Sequence, residues 1–242
     1  MYIGRPPFVE QLNDISFWFP ILSKIGMRTP ETKLFYVSNE VGHIVDGKET
    51  DEFKQLVKDI TSTKESFGRT AFLRTGQTSN KHDWKHTCYL SENSDVKKHL
   101  AALIEFSMMV DLPYNTFAVR KMIDTVPLTT AFKDMPIARE LRIFVKEGKL
   151  ICAHPYWPEE AFRGGQHPNN EVTEEQIRQL QVMPKMTEIT QMAEYVSSSF
   201  QGSWSVDFLE DKDGNWWLTD MALASTGYHW PNCENKDKFG DN

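Results

Sequence analysis

The chain holds no run of about 18 apolar residues, so no membrane-spanning helix is expected. Its opening, Met1-Tyr2-Ile3-Gly4-Arg5-Pro6-Pro7, lacks the charged start, apolar stretch and small-residue cleavage site of a secretory leader. Cysteine is scarce. Cys88, Cys152 and Cys233 are odd in number, far apart and without a C-x-x-C, which suits reduced thiols and a cytoplasmic location better than a disulfide framework. Positive charge is also in deficit, with 27 Lys and Arg against 34 Asp and Glu and a net charge of −7. No nucleic-acid partner is expected, because phosphates need a basic face. The phosphate loop G-x-x-x-x-G-K-[ST], the dinucleotide fingerprint G-x-G-x-x-G and the nucleophile elbow G-x-S-x-G are all missing. No internal repeat or low-complexity linker breaks the chain.

What remains is ordinary globular material. The 242 residues are 40% apolar and 25% charged, enough for one large domain or two small lobes. Trp18, Ile21, Leu22 and Ile25 give helical spacing over 16–25, stopped by Gly26. Residues 33–37 read as a strand. Phe53, Leu56, Val57 and Ile60 form an amphipathic stripe behind Thr50 as N-cap. Strands are expected over 70–74, 84–90 and 116–123, with a helix over 95–110. Residues 141–145 and 149–154 read as a hairpin turning at Glu147-Gly148. Thr173-x-x-Gln176 predicts a capping box, and Ile189, Met192, Ala193 and Val196 a further helix. Hairpins mixed with helices, without regular βαβ repetition, predict an α+β fold.

The last hairpin, 204–209 with 215–220, carries the sharpest signal. A two-residue turn at Asp213-Gly214 would set Asp207 directly opposite Asp220. A four-residue loop would leave them diagonal neighbours, and a three-residue loop would put them on different faces. Two carboxylates facing across a ladder repel. They persist together if a cation lies between them or one is protonated. Mg²⁺ suits such oxygen ligands. The plainer alternative is two solvated aspartates on a sheet edge.

The cations form a second set. Glu140 and Arg142 share the strand face opposite Leu141, Ile143 and Val145, where Arg142 could fork onto a phosphate and Glu140 orient it. A salt-bridged surface is an equal reading. Arg74 ends a strand, Arg120 points away from Phe117 and Val119, and Lys81 and Lys85 border the loop after Arg74. Together they could serve one polyphosphate. His82, His86 and Cys88 are a weak zinc candidate, lacking a second ligand pair at zinc spacing. Tyr156 and Trp157 could line a pocket, and Gly164-Gly165 could be a lid or a plain turn.

The order of these segments resembles the ATP-grasp superfamily. "FWFPILSKIGMRTPETKLFYV" resembles its opening helix and first strand. "FLRTGQTSNK" resembles the phosphate-binding strand and loop of a divergent arginine/lysine clade, which includes phage and bacterial proteins and a eukaryotic cell-division-cycle protein that assembles an initiation factor. "FAVRKMID" is similar to the strand entering the adenine-binding hinge, "ELRIFVKEGKLICAHPYW" to the clade's E-x-R-x-F-V strand pair, and "WSVDFLEDKDGNWWLTDM" to the closing acidic hairpin.

The resemblance implies two α+β lobes clamping ATP between them. It implies an N-terminal α/β subdomain over 1–68, a small lobe over 69–118 and a large lobe over 119–242. It places Arg74 and Lys81 at the phosphates, and Lys121, Met122, Ile123 and Asp124 at adenine and ribose, with Lys85 and Arg120 as further nucleotide-binding candidates from the residue pattern. Arg142, with Glu140, would serve the γ-phosphate side, and Asp207 and Asp220 would bind Mg²⁺. One departure stands out. The family's acidic-x-asparagine ending is here Asp220-Met221-Ala222, so Ser225 or water would have to replace the third metal ligand.

The implied activity is that of a ligase joining a carboxylate to an amine or thiol through an acyl phosphate, with ATP and Mg²⁺, the acceptor classes including a peptide or protein. A non-catalytic ATP-binding assembly factor is the alternative, and a phosphotransferase a third class.

Overall fold

The alternation of apolar and polar residues decides which face of each element is buried, and two four-stranded antiparallel sheets and one two-stranded sheet result among the described residues. The structure, a computed structural model, describes residues 9–163 and 172–239. Gly164 and Gly165, named above as a lid or turn, lie outside the described residues. The chain enters with α1 (Val9–Leu12) and α2 (Ile15–Lys24). It continues through β1 (Thr32–Tyr36), α3 (Asp51–Ser66), β2 (Ala71–Thr75), β3 (Tyr89–Leu90), α4 (Val96–Met109), β4 (Thr116–Lys121), β5 (Thr129–Ala131) and β6 (Met135–Ile137). Then come β7 (Glu140–Lys146), β8 (Lys149–Pro155), α5 (Glu160–Arg163), α6 (Glu174–Leu180), α7 (Thr187–Ser197), β9 (Ser203–Glu210) and β10 (Trp216–Leu223). Pro30–Ile137 makes one compact unit. The stretches ending at Thr29, starting at Ala138 and starting at Thr173 make the other.

In the Pro30–Ile137 unit the strand order is β1-β4-β2-β3. Ala71, Leu73, Phe117 and Val119 share one sheet face and pack with Phe53, Leu56 and Ile60 of α3 and Leu100, Leu103 and Ile104 of α4. The helix starts follow their caps. Thr50 Oγ1 accepts the Phe53 N–H at 3.1 Å, and Asp95 accepts from Lys97 and Lys98. The strand expected over 84–90 shrinks to Tyr89–Leu90. Local bonds win there: Thr87 N–H donates to Asp83 O and Thr87 Oγ1 to Asn80 O and Asp83 O, winding the segment into turns. The β5–β6 hairpin had no turn signal in sequence. It turns through Phe132, Lys133 and Asp134, all with positive φ.

In the second unit the order is β10-β9-β7-β8. Leu141, Ile143, Val145, Val206, Phe208, Leu218, Met221 and Leu223 are buried on one face. Ile189, Ala193 and Val196 of α7 are buried with them, and Phe17 of α2 stacks on Trp204 at 6.2 Å. Glu147 (φ 48°) and Gly148 (φ 77°) make the two-residue turn expected between β7 and β8. Thr173 and Gln176 form the capping box.

Candidate functional site

The side of the β10-β9-β7-β8 sheet opposite the apolar face carries a straight row of chemistry. Asp220 pairs with Asp207, Asp207 with Arg142, and Arg142 with His154, so all four side chains stand on one face. The first pairing was expected, but its cause differs. Asp211 N–H donates to Asn215 O across a loop of Lys212, Asp213 and Gly214, with Gly214 at φ 81°. That three-residue loop offsets the register by one. A β-bulge at Thr219, between Leu218 and Asp220, restores it.

Arg142 answers the repulsion between the two carboxylates. Its Nε donates to Asp207 Oδ1 and its Nη2 to Asp207 Oδ2, both at 2.8 Å. The two side chains are 17% and 5% exposed. Burial disfavours the charged guanidinium, but the charge and hydrogen bonds of Asp207 outweigh it and hold the pKa above the ordinary arginine value. Arg142 also lies over the Tyr156 ring at 4.5 Å and donates from Nη1 to Tyr228 O at 3.5 Å. Glu140 stands two residues along the same face, and its carbonyl accepts the Tyr156 N–H at 2.8 Å. Asp220 is half-buried, its Oδ1 accepting the Met221 N–H at 3.0 Å.

A carboxylate offers about four lone-pair directions. The Arg142 fork uses two on Asp207, and Asp220 stands directly opposite on the neighbouring strand. The departure at Ala222 is now spatial: Ala222 sits two residues from Asp220 on the same face, opposite Ser205. Ser205 Oγ donates to Ala222 O at 3.3 Å, while Ser225 lies in the exposed turn after β10. Tyr156 and Trp157 pack edge to face at 4.9 Å, and Trp157 is buried.

The other cations named from sequence lie in the Pro30–Ile137 unit. Arg74 pairs with Ala118 and Arg120 with Phe72, so the two arginines share the sheet face turned away from α3 and α4. They are 4% and 3% exposed. Arg74 donates to Thr75 O at 3.1 Å, and Arg120 to Thr32 Oγ1 at 3.1 Å. Lys121 ends β4, and Met122, Ile123 and Asp124 follow without regular structure. Lys81 opens the short 3₁₀ turn Lys81–Asp83. Lys85 forms an exposed ion pair with Asp134.

The His82, His86 and Cys88 candidate disperses. His82 stacks on Phe132 at 4.6 Å, His86 Nδ1 lies 2.7 Å from Asp83, and burial pushes the Cys88 thiol up to about 12.

Comparison with known proteins agrees with this architecture. A family model for an ATP-grasp domain, family 3 of the arginine/lysine clade, matches residues 54–222. No curated protein matches the chain. Among solved structures it is similar to N5-carboxyaminoimidazole synthetase from Staphylococcus aureus complexed with ADP, at 12% identity and a TM-score of 0.51, covering 94% of this chain and 48% of that one. It is also similar to the ATP-grasp ligase PsnB complexed with a minimal precursor, Mg and ADP, at 11% identity and a TM-score of 0.50, covering 95% of this chain and 55% of that one. The chain thus spans about half the length of these structures. No helix among the described residues is long and apolar enough to cross a membrane.

Proposed function

The chain belongs to family 3 of the arginine/lysine clade of ATP-grasp domains, and we propose that it is an ATP-dependent ligase joining a carboxylate to an amine or thiol. The observation that carries this reading is the Asp220-Asp207-Arg142 row on one sheet face of an ATP-grasp domain. In the proposed reaction a substrate carboxylate oxygen attacks the γ-phosphorus of ATP and ADP departs. The amine or thiol then attacks the acyl carbon and inorganic phosphate leaves.

Asp207 and Asp220 fit Mg²⁺ by donor chemistry, because adjacent carboxylate oxygens suit a hard cation. When bound there, Mg²⁺ would neutralise phosphate oxygens. Arg142 is held rigid by its fork onto Asp207 and keeps Nη1 for a weak carbonyl contact, so it would offer a fixed positive charge to the transferring phosphoryl group. Glu140, beside it, would orient that guanidinium. In the Pro30–Ile137 unit, Arg74, Lys81, Lys85 and Arg120 would bind phosphates, and Lys121 to Asp124 would flank adenine and ribose. PsnB was solved with a precursor, Mg and ADP. A peptide carboxylate is therefore an acceptor worth testing first.

A second reading, a non-catalytic Mg–ATP-binding assembly factor, has its own observation. Ala222 presents a methyl group where the family's asparagine would add a third metal ligand.

The test is a thermal-shift titration with ATP, with and without Mg²⁺, on the wild type and Asp220→Asn, followed by ADP release with candidate acceptors. A Mg²⁺-dependent rise in melting temperature that Asp220→Asn removes supports the site, since a ligand that binds only the folded state stabilises it by mass action. Acceptor-dependent ADP release then selects the ligase, and binding without turnover selects the assembly factor. No shift at millimolar ATP in the wild type sinks both.

A further inference from the structure

The Asp-Asp-Arg row ends at His154, and His154 belongs to a second cluster that the ligase reading does not use. Cys152 and His154 alternate along β8 and so share a face. His229 and Cys233, separated by three residues, come from the segment after β10. That segment folds back along β8: Asn235 Nδ2 donates to Ile151 O at 3.3 Å, and the Phe239 ring lies 5.1 Å from Phe144. The potential ligand atoms of Cys152, His154, His229 and Cys233 all lie within 4.8 Å of one another. All four residues belong to one unit, so their juxtaposition does not depend on how the units are arranged.

We infer that Cys152, His154, His229 and Cys233 form a tetrahedral structural Zn²⁺ site that clasps the C-terminal segment onto the edge of the sheet.

Four observations support this. The donor set is two sulfurs and two imidazoles, the borderline-soft mixture that selects zinc over the hard cations suited to the aspartates. The size is right: bonds of about 2.3 Å to sulfur and about 2.0 Å to nitrogen put tetrahedral ligand atoms roughly 3.3 to 3.8 Å apart. Cys152 Sγ and His229 Nε2 are already 3.1 Å apart.

The third observation is an orphan. His154 Nε2 is buried and has no hydrogen-bond partner, a costly state that ligation would relieve. The fourth is the set of groups that orient the ligands. His229 Nδ1 is 3.3 Å from Trp230 O, which sets the tautomer that leaves Nε2 for a metal. Asn235 N–H donates to Cys233 Sγ at 3.4 Å, as backbone amides do to metal-bound thiolates.

The surroundings suit a closed site. Trp230 stacks on His154 at 5.5 Å, and Phe144 lies 4.3 Å from the His229 ring, so aromatic walls limit water. Two thiolates, two neutral imidazoles and Zn²⁺ sum to zero charge, which removes most of the penalty for burial. Four protein ligands leave no position for substrate, so the role is structural. The clasp holds what lies next to it. Tyr228, whose carbonyl meets Arg142 Nη1, immediately precedes the ligand His229.

The site is independent of the nucleotide reading, and its test involves no turnover. The full chain, purified under reducing conditions from zinc-supplemented medium, is assayed for metal by mass spectrometry. About one zinc per chain is expected. Cys233→Ser and His229→Asn should each lower zinc retention against a chelator by more than about tenfold, the loss that follows when only the groups orienting a ligand are changed. Cys88→Ser, which alters a thiol elsewhere, should leave it unchanged. Cobalt substitution of the wild-type chain supplies a readout independent of variant folding: thiolate-to-cobalt charge transfer in the near ultraviolet and the intense visible bands of a tetrahedral ion. Zinc content well below stoichiometric with no cobalt charge-transfer band overturns the proposal. So does an intact mass showing Cys152 and Cys233 joined as a disulfide.

Discussion

Asp207 and Asp220 face each other only because two irregularities cancel, a three-residue turn at Lys212–Gly214 and the bulge at Thr219. The two carboxylates are nonetheless unequal. Asp207 is buried and holds Arg142 with both oxygens, whereas Asp220 is half-buried and accepts a local backbone N–H. Asp220→Asn should therefore cost less stability than Asp207→Asn while removing the Mg²⁺-dependent part of the ATP thermal shift. Asp207→Asn should lose that part too, and also about 2 to 3 kcal/mol of stability, because a buried guanidinium loses its counter-charge. Urea denaturation separates the two. Equal stability losses in both variants would refute the division of labour.

The Arg142–Asp207 fork yields a sharper test of its own. Arg142→Ala strands a carboxylate that is 5% exposed and should cost about 3 kcal/mol. Arg142→Lys keeps the charge but not the bidentate geometry or the stacking on Tyr156, and should fall between Ala and wild type. Replacing both partners, Arg142→Met with Asp207→Leu, should cost less than the two single changes combined, since no charge is left unpaired. A double-mutant cycle by urea denaturation measures this, and additive losses would mean the fork is energetically idle.

Local chemistry made much of this legible. Thr50, Thr173 and the Glu147-Gly148 turn act where their residue types predict, because capping and positive φ are decided within four residues. The alternation Glu140, Arg142 against Leu141, Ile143 assigned the faces of β7 correctly. The turn at Asp213-Gly214 misled, because Asp211 rather than Asp213 organises it and the compensating bulge leaves no residue signature at Thr219. The four-residue Cys and His cluster was hidden for a different reason. Cys152-x-His154 and His229-x-x-x-Cys233 are each unremarkable, and only the fold-back of the last segment onto β8 brings them together. Pairing the two short spacings across the chain was the one signal that could have found it.

The same Asp211 gives a pH dependence. Burial opposes its ionisation, but the Trp217 indole N–H, the Asn215 backbone and side-chain N–H groups and the Asp213 N–H outweigh that and lower its pKa from 3.8 to about 2. A folded-state value below the unfolded one adds stability that is complete above the unfolded pKa and disappears as pH falls through the folded one. Asp211→Asn should therefore lower the melting temperature at neutral pH, with the gap to wild type closing between about pH 4 and pH 2. Melting curves across that range decide it. A gap that stays constant with pH would show that charge at Asp211 is not what secures the turn.

Gly227 tests how tightly the closing segment is laid on the sheet. A Cβ at this position would meet Ser205 Oγ at 2.8 Å and Ser205 Cβ at 3.0 Å, with Phe144 Cε1 at 3.5 Å. Rotating the Ser205 hydroxyl relieves the first contact but not the second, and Ser205 is buried. Gly227→Ala must therefore push the chain outward just before Tyr228, costing about 1 to 3 kcal/mol as overpacking does. Ser205→Ala keeps the clashing Cβ and should not rescue it. Ser205→Gly removes the Cβ, at about 1 kcal/mol for a glycine in a strand, and should make the double variant more stable than the sum of the single losses predicts. A double-mutant cycle by urea denaturation measures that coupling. Strict additivity would mean that the segment already rides clear of β9, and the close approach that seats Tyr228 beside Arg142 would have to be abandoned.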